Sequence, residues 1–177
     1  MTARTAWTPG NGETLAWGTV INTTDVQSMA TASSVLSGVA DITNGTALDM
    51  FMDVSMSLSV TSSTGPIAGA NVAFWLYPLN QDGTTYGDNQ FSAGTQKAAT
   101  PNFPPFGTFA SSVATTATTS VGTAGSSLTA FTFTGTLTGV VIPPGSFRVT
   151  MQNNYGVALS TGPQSIKYRT YNINLNN

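Results

Sequence analysis

The stretch "DMFMDVSMSLSV", residues 49 to 60, alternates apolar and polar side chains almost without a break. Met50, Met52, Val54, Met56, Leu58 and Val60 fall on one side of an extended chain, and Asp49, Asp53, Ser55, Ser57 and Ser59 on the other, with Phe51 the one large apolar residue among them. Successive side chains of a strand point to opposite faces, so a period of two defines a long strand with one covered and one wet face. Both aspartates are expected on the wet face. Apolar residues never recur at a 3.6-residue period over three turns, because alanine is scattered among Thr, Ser and Gly. Strands are therefore the regular structure to expect.

"NVAFWLYP", residues 71 to 78, breaks the pattern: Val72, Phe74 and Leu76 make one apolar face, and Ala73, Trp75 and Tyr77 make another. Such a strand is either central, with something packed on each side, or lies where a second subunit arrives. Further strands are expected at residues 13–21, 128–141, 145–153 and 165–175, with weaker ones near 26–36 and 108–121. Residues 111–127, "SSVATTATTSVGTAGSS", read equally as an edge strand or a long loop. Residues 97–109 carry three prolines and three phenylalanines, which makes a stiff extended connection that packs by its aromatics. About eight strands, separated by Gly, Pro and Asn clusters with no helices between them, predict an all-β chain: an antiparallel β-sandwich, with the jelly roll as its natural form. A chain of 177 residues is one domain by size, read as an extended N-terminal arm to residue 12 and a sandwich over residues 13–177.

Charged residues are 7% of the chain, against about 25% in ordinary domains, and the net charge is −2. Thr, Ser, Ala, Gly and Asn take their place, so like copies approach at little electrostatic cost. Five cations against seven acids leave no basic footprint for nucleic acid. No apolar run is long enough to span a membrane, and no apolar segment follows Arg4 to make a secretory signal, so the product is expected to stay in the cytoplasm where it is made.

The chain has no histidine and no cysteine, which removes the usual general base near neutral pH, the thiol nucleophile and every common zinc site. A carboxylate pair of the glycosidase kind remains formally open. Asp49 and Asp53 do not supply it, since four residues of strand separate them by about 13 Å. Asn80, Asp82, Thr84 and Asp88 place oxygens at intervals in one loop, but Thr85 and Phe91 stand where a calcium loop of the EF-hand type needs Gly and Glu. A plain turn at Asp82-Gly83 is the simpler reading. "GNGETLAWG" lacks the following helix that a phosphate loop requires. No cofactor and no metal are expected. Trp7, Trp17 and Trp75 are candidates for sugar stacking if they lie exposed.

The segment "IPPGSFRVTMQNNYGVALSTGPQSIKYRTYN", residues 142–172, holds three of the five basic residues: Arg148, Lys167 and Arg169. On a strand, Lys167 and Arg169 share a face with Tyr171 and Ile173. If the strand of Arg148 pairs with this one, all three cations line one side of a sheet, either as a wet face or as a docking patch for acidic groups.

This segment, with its aliphatic residue and double proline (Ile142, Pro143, Pro144), the strand "SFRVTMQN", the turn at Asn154 to Gly156 and the final "KYRTYN", together with the loop "LYPLNQDGTTYGDN", resembles small all-β head-associated proteins of tailed bacteriophages. The resemblance implies a non-enzymatic virion component: a decoration or cement protein on the capsid surface, commonly a jelly-roll trimer, whose partner is the major capsid protein. On that reading the candidate interface residues are Trp75, Tyr77, Arg148, Lys167, Arg169 and Tyr171. The alternative is a carbohydrate- or receptor-binding module in a head fibre base or tail, which needs Trp and Tyr side chains clustered in an open groove.

Overall fold

The period-two stripe becomes the central strand of a sheet. The computed structural model describes residues 4–9, 17–62, 71–82, 85–86, 91–102, 104–110, 114–121, 127–162 and 164–176. In chain order the elements are β1 (Arg4–Pro9), β2 (Gly18–Ile21), the one-turn helix α1 (Thr23–Val26), β3 (Ser34–Leu36), β4 (Ile42–Asn44), β5 (Phe51–Ser62), β6 (Asn71–Pro78), β7 (Gln96–Lys97), β8 (Gly107–Ala110), β9 (Ala114–Val121), β10 (Ser127–Val141), β11 (Gly145–Asn154) and β12 (Ser165–Asn176).

They form two antiparallel sheets. The first runs β1-β12-β5-β10-β9, and β2 joins the same edge of β12 as β1. The second runs β7-β3-β11-β6-β8, with β4 end to end with β3 along one edge of β11. Met52, Val54, Met56, Leu58 and Val60 of β5 are buried against Val72 and Phe74 of β6 and Phe147, Val149 and Met151 of β11, so the two sheets close on one apolar layer. Phe133 and Tyr155 stack within that layer with centroids 4.6 Å apart. The antiparallel β-sandwich expected from the sequence is therefore the fold.

The two-faced strand resolves without a second subunit. Val72 and Phe74 enter the inter-sheet core, while Ala73, Trp75 and Tyr77 form a second small core with Leu36, covered by Tyr86 and Phe91 from the connection after β6. Tyr77 meets Phe91 edge-on at 6.0 Å.

Several expectations change. Met50 is 57% exposed, because β5 begins at Phe51 and the stripe starts one period later. Residues 26–36 hold the end of α1 and the short β3 rather than one strand. The expected strand at 13–21 is β2 from Gly18, residues 13–16 lying outside the described set. The N-terminal arm contains β1, paired in register with β12 from Arg4↔Asn176 to Pro9↔Tyr171. Of the two readings of 111–127, the edge strand holds over β9, and residues 107–110 at the end of the proline-rich connection are β8. Phe106 just before it does pack, 6.1 Å from Phe74.

With few charges available, buried amides tie the connections. Asn153 donates to the carbonyls of Met29 and Val157 and accepts from the Tyr155 amide; Gln164 donates to the carbonyls of Ser59 and Ser160 and accepts from the Ser59 amide. Asn44 closes the turn before β5 by bonding both the amide and the carbonyl of Asp49. Each buried donor left unpaired would cost about 1–3 kcal/mol, so these amides stabilise loops in which the described residues form no ion pair.

Phe133→Ala removes a fully buried ring and its stacking partner's cover, and should lower unfolding stability by about 3–5 kcal/mol. Urea denaturation followed by intrinsic fluorescence measures it.

Candidate functional site

On the outer face of the first sheet, Asp53 of β5 and Arg169 of β12 are direct cross-strand partners. Asp53 is 2% exposed, not solvated as the alternation implies. Arg169 reaches Asp53 Oδ2 through Nε at 2.9 Å and Nη2 at 2.8 Å, while the Tyr171 hydroxyl donates to Oδ1 at 3.0 Å. The Gly139 amide donates to the same oxygen at 3.1 Å. That amide is available because β10 bulges between Leu137 and Val140, and Gly139 takes φ +69°, a left-handed value that a side chain resists. Above the pair, the Arg169 guanidinium lies over the Trp17 ring, 4.7 Å from its centroid. Phe51 stacks on Tyr171 at 5.8 Å. Burial first, and then the bond to Asp53, raise the Tyr171 pKa and keep its hydroxyl a donor.

A second cluster sits on the outer face of the other sheet. Arg148 Nε donates to Asp41 Oδ1 at 2.6 Å and its Nη1 to the Ser37 carbonyl at 3.3 Å, and the Tyr86 hydroxyl donates to the same Asp41 oxygen. The guanidinium lies 5.1 Å from the Tyr86 ring centroid. Burial alone would raise the Asp41 carboxyl; the bonds from Tyr86 and Arg148 and the Arg148 charge outweigh it and bring the pKa below 3.8. Tyr86 is pushed up to about 12, by burial first and by Asp41 second.

The three tail cations thus do not line one sheet face. Arg148 is on β11 of the second sheet, Lys167 and Arg169 on β12 of the first, and the two strands do not pair. Lys167 is exposed, while Arg169 and Tyr171 are tied to Asp53. Trp75 and Tyr77 are 2% and 1% exposed beneath their own chain, so neither offers a docking surface. Trp17 is 38% exposed with Arg169 on one ring face, and the Trp7 side chain lies outside the described set. In the 80–89 loop, Thr85 occupies both Asp82 oxygens, and Asn80 donates to the Thr85 hydroxyl; Thr84 and Asp88 lie outside the described residues.

Asp49 is 3% exposed and accepts from the Asn172 amide at 3.0 Å, which corrects its expected solvated place. Asp25 accepts from the Gly38 amide at 2.8 Å. All the described carboxylates, Asp25, Asp41, Asp49, Asp53 and Asp82, therefore accept hydrogen bonds from the chain itself. Sequence reading missed Asp41 and Tyr86 because their partner, Arg148, is more than a hundred residues from one of them and joined to the other only by the folded connection.

Comparison with known proteins finds no matching family model, no matching curated protein and no matching solved structure.

Arg169→Met strands a buried carboxylate and should cost about 2–4 kcal/mol, with part of the loss regained in the D53N/R169M double variant; urea midpoints of the single and double variants test this. Acid should weaken the Asp41 cluster. A carboxyl depressed in the folded state is protonated first in the unfolded chain as pH falls, so its contribution is complete above about pH 4 and lost as pH drops through the folded value. Denaturation midpoints taken between about pH 5 and pH 2 should fall less steeply in Asp41→Asn than in the parent.

Proposed function

We infer that the chain is a non-enzymatic structural protein of a virion, a decoration or cement protein that trimerises and binds across the subunits of a capsid. One observation carries this reading: the described acids serve to hold the chain's own amides, hydroxyls and guanidinium groups, and are spent on architecture rather than aimed at an open cleft. The nearly uncharged surface adds to it, since proteins packed side by side on a shell meet no strong like-charge field. Strand order supports the jelly roll as well: β2-β12-β5-β10 in one sheet and β3/β4-β11-β6-β8 in the other place successive strands mostly in opposite sheets, with β1, β7 and β9 as additions at the edges. Among the described indoles, the carbohydrate-binding alternative has one that is exposed, that of Trp17, and Arg169 already covers a face of it.

Docking to an acidic capsid surface falls to Lys167, the exposed cation of the tail, because Arg169 cannot leave Asp53 without exposing a buried charge. Purified protein should sediment with heads of the virus that encodes it and run as a trimer by light scattering. Lys167→Ser should weaken sedimentation with heads and leave the melting temperature within about 2 °C. A protein without affinity for those heads overturns the reading.

A further inference from the structure

An asparagine followed by glycine is open to attack by its own main chain, because glycine sets no Cβ beside the amide nitrogen that attacks. The sequence holds this step twice, at Asn11-Gly12 and at Asn44-Gly45. Asn44 ends β4, where it pairs with Gly145 of β11, and Gly45 opens the turn that leads to β5. That glycine answers no steric need of the fold. A Cβ built on it would meet no atom within 4 Å, and its φ is not positive.

The side chain before it is fully engaged. Asn44 is 2% exposed; its Nδ2 donates to the carbonyls of Asp49 at 2.8 Å and Pro143 at 2.9 Å, and its Oδ1 accepts from the Asp49 amide at 2.7 Å. Both protons of the side-chain amide and its oxygen are thereby used. The nitrogen that deamidation would expel is the atom these two carbonyls hold.

We infer that Asn44 is a deamidation site gated by folding: closed in the native chain, open in the unfolded one, and yielding a product that the native turn rejects. In the reaction the Gly45 main-chain nitrogen attacks Asn44 Cγ and loses its proton as the new N–C bond forms. The Cγ–Nδ2 bond breaks and the nitrogen leaves as ammonia. Water then opens the cyclic imide at either carbonyl, giving aspartate, or isoaspartate with the main chain running through Cγ. In the folded chain, bringing the Gly45 nitrogen over the amide carbon means rotating the side chain and the end of β4, and so breaking all three bonds. The product does not restore them. Aspartate at this position still accepts from the Asp49 amide, but it sets an oxygen without a proton against the carbonyls of Asp49 and Pro143, and puts a charge where the native residue is buried. Isoaspartate adds a carbon to the main chain where β4 pairs with β11. Unfolding that outlasts the reaction is then not fully reversible, whether or not the protein belongs to a virion.

Peptide mass spectrometry on the full chain, aged in mildly alkaline buffer with and without urea, tests this. Asn44 should convert at least about a hundredfold more slowly in buffer than in urea, the ratio set by the three hydrogen bonds that must break. In urea it should keep pace with Asn11. Gly45→Ala, for which the turn has room, should slow the conversion of Asn44 in urea severalfold without lowering the melting temperature. After equal time in urea the parent should refold with a lowered denaturation midpoint, whereas G45A, in which Asn11 has reacted alike, should not. Asn44→Asp, the product made directly, should show the lowered midpoint or fail to fold. Equal rates for Asn44 in buffer and in urea overturn the inference, and so does an aged parent or an N44D variant as stable as fresh protein.

Discussion

The apolar stripe of β5 has to be covered along its length from one side, and the remaining architecture follows from how that is done. Met52 to Val60 cannot be hidden by strands in their own sheet, which lie beside them rather than over them. A second sheet must lie across, and β6 and β11 supply it with Phe74, Phe147, Val149 and Met151. Once the sheets face each other, their connections must cross the ends of the sandwich, where backbone groups lose their ladder partners. Asn44, Asn153 and Gln164 stand at those crossings and bond the orphaned groups.

The scarcity of charge has a structural counterpart. The described ion pairs, Arg169–Asp53 and Arg148–Asp41, sit on the outer faces of opposite sheets, each covered by an aromatic ring. Partial cover makes them stronger than surface pairs in water, and it makes each a local clamp: one joins β5, β12 and the β10 bulge, the other joins β11 to the connection before β4 and the connection after β6. Basic residues that look like a docking patch in the sequence therefore serve largely to hold the outer layers in place. Among the described residues, Leu48, Met50 and Val141 remain exposed at one end of the first sheet, away from these pairs.

Much of this was legible in the residues. Period-two alternation located β5, and the two apolar faces of residues 71–78 required cover on both sides, because side-chain direction in a strand follows from sequence position alone. β10, β11 and β12 were bounded by Gly and Pro turns and fell within a residue or two of expectation. Alternation could not reveal burial of the polar face. Asp53 sits at a wet position in the pattern and is covered because Arg169, Tyr171 and Gly139 converge on it from two other strands.

The sequence by itself determined an all-β sandwich, its long strands, the lack of histidine and cysteine chemistry, and a surface nearly free of charge, since periodicity and composition are properties of the chain before it folds. Only the tertiary structure decided which sheet each strand joins, that Arg148 is separated from Lys167 and Arg169, that Trp75 and Tyr77 are covered by their own connection, and that Leu48, Met50 and Val141 meet around one hollow. Those outcomes depend on contacts between residues distant in sequence. Pairing of strands and packing of loops fix such contacts, and no local pattern encodes them.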